Sequence, residues 1–341
     1  MRKVLIGIVV LFLVVSGGVI GFFLRQEQPR EQVLGESVTS PFWQNTVLFV
    51  SENGELFSWD KEHSPQPIGV LARKRAVTAA VTPDQRQAVI VLSENETSTF
   101  WLYSADRQAR PLASVQGNVS QLSFSESGKL LLFVQQRKYA QAPELDLLSL
   151  ADEKIQRVAN NAVSGIWLAD PAAVLSRLSD GQLWYHQFIA NGSLDSVSIP
   201  VLAASNPVAA NESGDIIFVK KSDEGMSLVR FSLSTKERQL IVPLPGISAD
   251  ARDIRLQLSS SENEAMIVWA AQNGTQQTSL VRIDAGIVET LPVAAQKLAS
   301  LDDQSVVIER TETDGGGIAI LRLDSAQYQN IPETQKLHLL P

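Results

Sequence analysis

An all-β fold is what this sequence of 341 residues predicts: a seven-bladed β-propeller of four-stranded antiparallel blades, preceded by one N-terminal transmembrane helix. Three observations carry the prediction. A strand-like motif returns seven times, and tight-turn residues separate short apolar runs through the rest of the chain. Beyond residue 24 no long stretch has helical spacing strong enough to compete.

The N-terminus sets the compartment. Residues 1–3 carry Arg2 and Lys3, and Val4 to Leu24 then run for 21 residues without a charge. At about 1.5 Å per helical residue that run spans about 31 Å, close to the roughly 30 Å hydrocarbon core of a bilayer. A helix satisfies its own backbone hydrogen bonds, so residues 4–24 are expected to cross lipid as a signal anchor. The positive-inside rule keeps Arg2 and Lys3 cytoplasmic and places the rest outside, periplasmic or extracellular. The competing expectation is a signal peptide cleaved near Ser16-Gly17-Gly18, which makes the protein secreted. Gly17 and Gly21 form one small-xxx-small pair, a weak signal for helix dimerisation that leaves the oligomeric state open.

Residues 25–41 hold Gln, Glu, Arg and Pro with few large apolar side chains, the composition of a solvated tether. The whole chain has 29 Lys+Arg against 37 Asp+Glu, a net charge of −8. Without Arg2 and Lys3 the exported part carries 27 against 37, or −10. That balance disfavours nucleic acid and anionic lipid as partners. With no Cys there is no disulfide, thiolate nucleophile or Cys-ligated metal.

Residues 42–341 form the propeller. The repeated motif is Leu-apolar-x-apolar, often followed by Asp or Ser. It starts at Leu56, Leu102, Leu147, Leu183, Leu228, Leu280 and Ile320, six intervals that average 44 residues. Upstream of most copies lies another apolar run, such as Ala88 to Leu92, Leu130 to Val134, Ile216 to Val219 and Ala265 to Trp269. Turns such as Thr82-Pro83-Asp84 and Ser125-Glu126-Ser127-Gly128 precede these runs; Gly, Pro and Asp suit such turns for distinct backbone reasons. Four short strands per 40 to 45 residues is the period of a propeller blade.

Val119-Ser120-Gln121-Leu122-Ser123-Phe124-Ser125-Glu126-Ser127-Gly128-Lys129, followed by Leu130 to Val134, resembles the TolB-like, or PD40, propeller repeat. In that WD40-like repeat an inner strand ends in Phe-Ser-Pro-Asp-Gly-Lys and a second strand follows. Val81-Thr82-Pro83-Asp84 and Leu102 to Asp106 supply other parts of the pattern. The Gly-His and Trp-Asp signatures of WD40 repeats are missing apart from Trp59-Asp60. A tether stands where that family carries an α/β domain, so its binding of peptidoglycan-associated lipoproteins is not implied. What the resemblance implies is the fold and a general scaffold role.

Ring closure is legible at the C-terminus. Gln296-Lys297-Leu298 opens one inner strand, and Gln335-Lys336-Leu337 repeats it at the chain end. Blade one has strand candidates at Thr46 to Val50, Glu55 to Trp59 and Pro67 to Leu71, and lacks an inner strand. Residues 336–340 are therefore expected to pair with Thr46 to Val50 and close the ring. The rival inner strand is Gln32 to Thr39.

The search for chemistry yields no catalytic, cofactor-binding or metal residue. His63, His186 and His338 fall in different repeats without metal-ligand spacing. Asp302-Asp303 reads as a solvated turn, and Asp314-Gly315-Gly316-Gly317 as a hairpin lacking the ligands of a calcium loop. Trp59, Trp101, Trp167, Trp184 and Trp269 lie in proposed strands and read as packing. Arg73-Lys74-Arg75 reads as a solvated connection between the first two blades. Sequons begin at Asn95, Asn118, Asn191, Asn211 and Asn273. The expected function is a membrane-anchored, extracytoplasmic scaffold that binds a protein or envelope component. The alternatives are a hydrolase or lyase with its site in the central channel, and a small-ligand sensor.

Overall fold

The computed structural model describes residues 47–51, 55–59, 65–70, 75–104, 109–168, 173–188, 194–209, 215–259, 262–302, 304–311, 315–331, 334 and 337–340. The predicted anchor 4–24, the tether 25–41, the rival strand Gln32 to Thr39, His63, Asp303, Asp314, Asn191 and Asn211 lie outside them. Among the described residues no helix is long and apolar enough to cross a membrane.

The described residues form seven four-stranded antiparallel sheets. Blade one contains β1 (Val47–Ser51), β2 (Glu55–Trp59) and β3 (Gln66–Val70), and blade two β4 (Arg75–Val81), β5 (Gln87–Glu94), β6 (Thr97–Ser104) and β7 (Ala109–Gln116). Blade three is β8 (Asn118–Phe124), β9 (Leu130–Gln136), β10 (Glu144–Ser149) and β11 (Ile155–Asn160). Blade four is β12 (Ala162–Trp167), β13 (Ala173–Leu178), β14 (Gln182–Phe188) and β15 (Leu194–Leu202). Blade five is β16 (Val208–Ala209), β17 (Asp215–Ser222), β18 (Gly225–Ser232) and β19 (Arg238–Pro243). Blade six is β20 (Arg252–Leu258), β21 (Glu264–Ala270), β22 (Gln276–Arg282) and β23 (Ile287–Leu291). Blade seven is β24 (Ala295–Asp302), β25 (Ser305–Arg310), β26 (Ile318–Arg322) and β27 (Tyr328–Asn330). The last strand, β28 (Leu337–Leu339), returns to pair with β1 in the register Phe49 to Leu339, Val50 to His338 and Ser51 to Leu337. The seven motif copies are the third strand of each blade.

Burial explains the sequence pattern. Seven apolar clusters form the core, one at each interface between neighbouring blades. Second strands lie between two such interfaces, so both of their faces are covered. In β5, Ala88, Ile90 and Leu92 pack toward blade one while Val89 and Val91 pack toward blade three. A strand buried on both faces reads as a continuous apolar run rather than an alternation. Phe100 and Phe133 meet across the next interface with ring centroids 4.8 Å apart, and truncating such a ring to Ala costs about 3–5 kcal/mol. Gly165 in β12 admits Leu145 of blade three so closely that an added Cβ would lie 2.6 Å from its methyl carbons.

A hydroxyl, not a glycine, organises the first turn of three blades. Ser125 accepts the Leu130 N–H on its Oγ at 3.2 Å, and its carbonyl accepts the Gly128 N–H at 2.8 Å. Thr82 and Ser259 accept the N–H of Gln87 and Glu264 in the same way. The left-handed position three residues on is Gln85, Gly128 or Glu262, with φ of 57°, 69° and 58°.

These turns, with those joining third to fourth strands, define a turn face. The hairpins joining second to third strands, and the entries to the inner strands, define the opposite hairpin face. The Gly117 N–H, just ahead of β8, bonds the Glu96 carbonyl of the blade-two hairpin at 2.6 Å.

Candidate functional site

The inner strands line the channel, and near the hairpin face five of them carry the same irregularity. The ladder shifts between Ala76 and Thr78, Ser120 and Leu122, Ala162 and Ser164, Arg252 and Arg255, and Ala295 and Lys297. A bulge turns one side chain out of the pleat and twists the strand. Here it aims side chains at the next blade. Gln121, at φ 54°, donates to the Gly165 carbonyl at 3.2 Å and accepts the Gly165 N–H at 3.3 Å. Arg255 donates to the Gln296 carbonyl, and Lys297 to the Leu339 carbonyl at 2.9 Å.

Lys297 belongs to a latch on the closing strand. Leu340 N–H reaches across to the Leu48 carbonyl, so the N–H of Leu339 points away from β1. Glu309, 4 % exposed on β25, accepts that N–H at 2.8 Å. Its other oxygen lies 3.1 Å from His338 Nδ1, and Lys297 Nζ is 3.4 Å from the oxygen that accepts the Leu339 N–H. A carboxylate and an ammonium thus cap the edge of β28 at Leu339 in place of a neighbouring strand.

His186 has a different role. It is 3 % exposed in β14, with Nε2 2.8 Å from Ser176 Oγ and Nδ1 2.8 Å from Ser196 Oγ. A neutral imidazole offers one donor and one acceptor, and each hydroxyl can do either, so the bridge is satisfied in both tautomers. Burial pushes the ring's pKa down from 6.5 to about 4. The ring ties β13 to β15 across β14.

The hairpin face carries the most exposed large hydrophobic side chain described. Tyr139 is 87 % exposed in the seven-residue connection between β9 and β10. Its neighbours are held. Lys138 pairs with Glu96 of blade two and lies 5.5 Å from the Tyr139 ring centroid. Arg137 pairs with Glu144 at 3.1 Å, and Arg157 joins Glu144 at 2.6 Å to Asp146 at 2.5 Å. Burial raises the Asp146 carboxyl against the pull of Arg157. The Gln136 amide donates to the carbonyls of Arg137 and Ala140. The arrangement presents an aromatic ring, beside cations, on a loop already tied in place.

The remaining sequence candidates are scattered. Trp59, Trp101 and Trp269 are buried, Trp167 donates to the Ser123 carbonyl of blade three at 3.1 Å, and Trp184 sits half-buried in β14. Asp302 ends β24, and Gly315 to Gly317 join β25 to β26 at positive φ. Arg75 opens β4 exposed, while Asn95, Asn118 and Asn273 are exposed on the hairpin face. Among the described residues no group of three or more His, Asp or Glu could hold a metal ion. Sequence reading missed Gln121, Lys297, Glu309 and Tyr139. Of these only Tyr139 leaves a signal, an isolated aromatic in the polar run Gln135 to Gln141 between two strands.

No family model matches the chain, and no curated protein matches it. Solved structures do. TolB from Acinetobacter baumannii superposes with a TM-score of 0.53 at 17 % identity; the match covers 87 % of this chain, which spans 66 % of that one. The β-propeller domain of the trilobed protease from Pyrococcus furiosus gives 0.57 at 12 %, covering 90 % and 97 %. That domain is described as having an open velcro topology, whereas here β28 closes blade one. A puromycin hydrolase gives 0.63 at 11 %, covering 90 % of this chain and 54 % of its own. At these identities the likeness is one of fold, and the fold is a seven-bladed β-propeller.

Proposed function

We propose that this chain is a membrane-anchored, extracytoplasmic propeller whose hairpin face binds another protein or an envelope component without catalysis. The observation that supports it is Tyr139, an aromatic ring left 87 % exposed on a loop whose neighbours are fixed. Binding is weakened by the ordering of mobile loops, and a loop held in advance avoids much of that cost. Tyr and Arg are also the residue types that dominate the energetics of protein interfaces. The run from Val4 to Leu24 supports the anchor.

The competing reading is a hydrolase or lyase with its site in the channel, as the likeness to a puromycin hydrolase suggests. This chain covers 54 % of that protein, which limits the likeness to the shared propeller. The test is site-specific photo-crosslinking in intact cells, with the photoreactive residue at Tyr139 or, on the turn face, at Arg86. A discrete adduct from position 139 alone is expected. Equal labelling from both positions, or none from 139, would overturn the reading.

A further inference from the structure

The geometry points to a second recognition site, between blades four and five, that takes the free C-terminus of a partner peptide ending in a bulky apolar residue. It is separate from the hairpin face and goes beyond the function proposed there. A groove of about 410 Å³ opens toward the turn face. Its walls are Tyr185, Val197 and Ile199 from blade four and Phe231 and Leu233 from blade five. Val197 is 54 % exposed, so the groove leaves apolar surface in water.

Two features select the occupant. Among the described residues that line the groove, the one charged side chain is Lys236, a cation in a chain of net charge −8. An apolar wall with one cation at hand fits a ligand of apolar body and single negative charge, because the ammonium pairs with an anion while the body is desolvated. The second feature is the strand beside it. β15, with nine residues the longest strand, has β14 on one edge and no strand on the other among the described residues. Unpaired N–H and C=O groups on that edge find partners in a peptide backbone and none in an acyl chain. The corresponding groove between blades five and six has the same volume but holds Arg230, Glu262 and Asp284, with Arg230 already 3.3 Å from Glu262. Its mixed charges do not select a carboxylate.

The test uses the full chain in lipid nanodiscs, with empty nanodiscs as blank, and fluorescence anisotropy of a labelled peptide Ser-Gly-Thr-Val-Leu-Phe. The free-acid peptide should bind saturably and its C-terminal amide about tenfold more weakly or worse, the effect of one charge-assisted contact. Lys236→Gln should reduce the free acid to the level of the amide. Val197→Glu should abolish binding, with the melting temperature of both variants unchanged. Tyr139→Ser should bind the peptide normally even if it loses the hairpin-face partner. Equal binding of acid and amide, absence of saturable binding, or loss in Tyr139→Ser would overturn the proposal. So would octanoate binding the groove when the peptide does not, which would make it an acyl-chain site.

Discussion

In blade four, His186 is a neutral ring bridging two serine hydroxyls inside a complete four-stranded ladder. At the seam between blades seven and one, Glu309 is as deeply buried but works through charge, and its partners include a backbone N–H at the edge of β28. The difference follows from what each ladder leaves undone. Where four strands pair fully, buried side chains need only satisfy one another, and uncharged groups do so with the smallest desolvation cost. β28 pairs over three residues only and turns the Leu339 N–H away from β1. A carboxylate is the stronger acceptor for such a group. Ring closure therefore rests on a short ladder reinforced by ions, whereas blade four completes its ladder with an uncharged bridge.

Removing the seam outright is the severest way to break this comparison. Deleting Leu337 to Pro341 strips out Leu337, Leu339 and Leu340, all buried, and bares the edge of β1. At about 1.5–3 kcal/mol for each buried side chain, the loss is on the order of 6 kcal/mol, comparable to the whole stability of many domains. Cooperative unfolding in urea should be lost or its midpoint should fall steeply. A midpoint matching the full chain would show that β28 is dispensable.

Glu309→Ala tests the latch without removing the strand. It leaves the Leu339 N–H unsatisfied and Lys297 without its carboxylate. Breaking a buried pair costs about 3–5 kcal/mol; with Lys297 30 % exposed, roughly 2–3 kcal/mol is expected. Urea denaturation of this variant beside Glu309→Gln measures it, and Gln should retain part of the stability by accepting one hydrogen bond. A cost near 1 kcal/mol, that of one neutral bond, would place the seam in the same class as blade four.

How much of this could be read in advance depends on sequence separation. The blades were legible because strands buried on both faces make continuous apolar runs, and the closing strand because Gln335-Lys336-Leu337 repeats Gln296-Lys297-Leu298. The turn at Ser125 was recognised through Gly128. Its counterpart at Thr82 has Gln85 at the left-handed position and is marked in the sequence by Pro83 and Asp84 instead, whereas the turn at Ser259, with Glu262 there, carries neither Gly nor Pro. Ser176 and Ser196 stand ten residues either side of His186, a symmetry that two hairpins create and that makes sense only once register is known. Glu309 and Leu339 are 30 residues apart on different blades, and no local pattern links them. The groove between blades four and five is equally non-local, since Val197 and Lys236 come from different sheets.

The finest test sets the two described histidines against each other through pH. His186 binds its proton with a pKa near 4 when folded and near 6.5 when unfolded. Between those values the unfolded chain holds a proton that the folded chain does not, so acid favours unfolding across the window. The stability owed to the neutral ring is complete above pH 6.5 and is lost as the pH falls toward 4. In His186→Gln, stability measured by urea unfolding should decline less steeply over that range than in the parent. Carboxylates that titrate in the lower half are common to both and cancel in the difference. His338→Ala should do almost nothing by comparison. Its side chain is 49 % exposed, and Glu309 keeps the Leu339 N–H and Lys297 when the imidazole is gone. A change within about 0.5 kcal/mol at pH 7 is expected for so exposed a partner. If His338→Ala instead matched Glu309→Ala, the imidazole would be a full member of the latch. If His186→Gln kept the parent's slope, the buried ring would be charged when folded, and the contrast between a neutral blade and an ionic seam would fail.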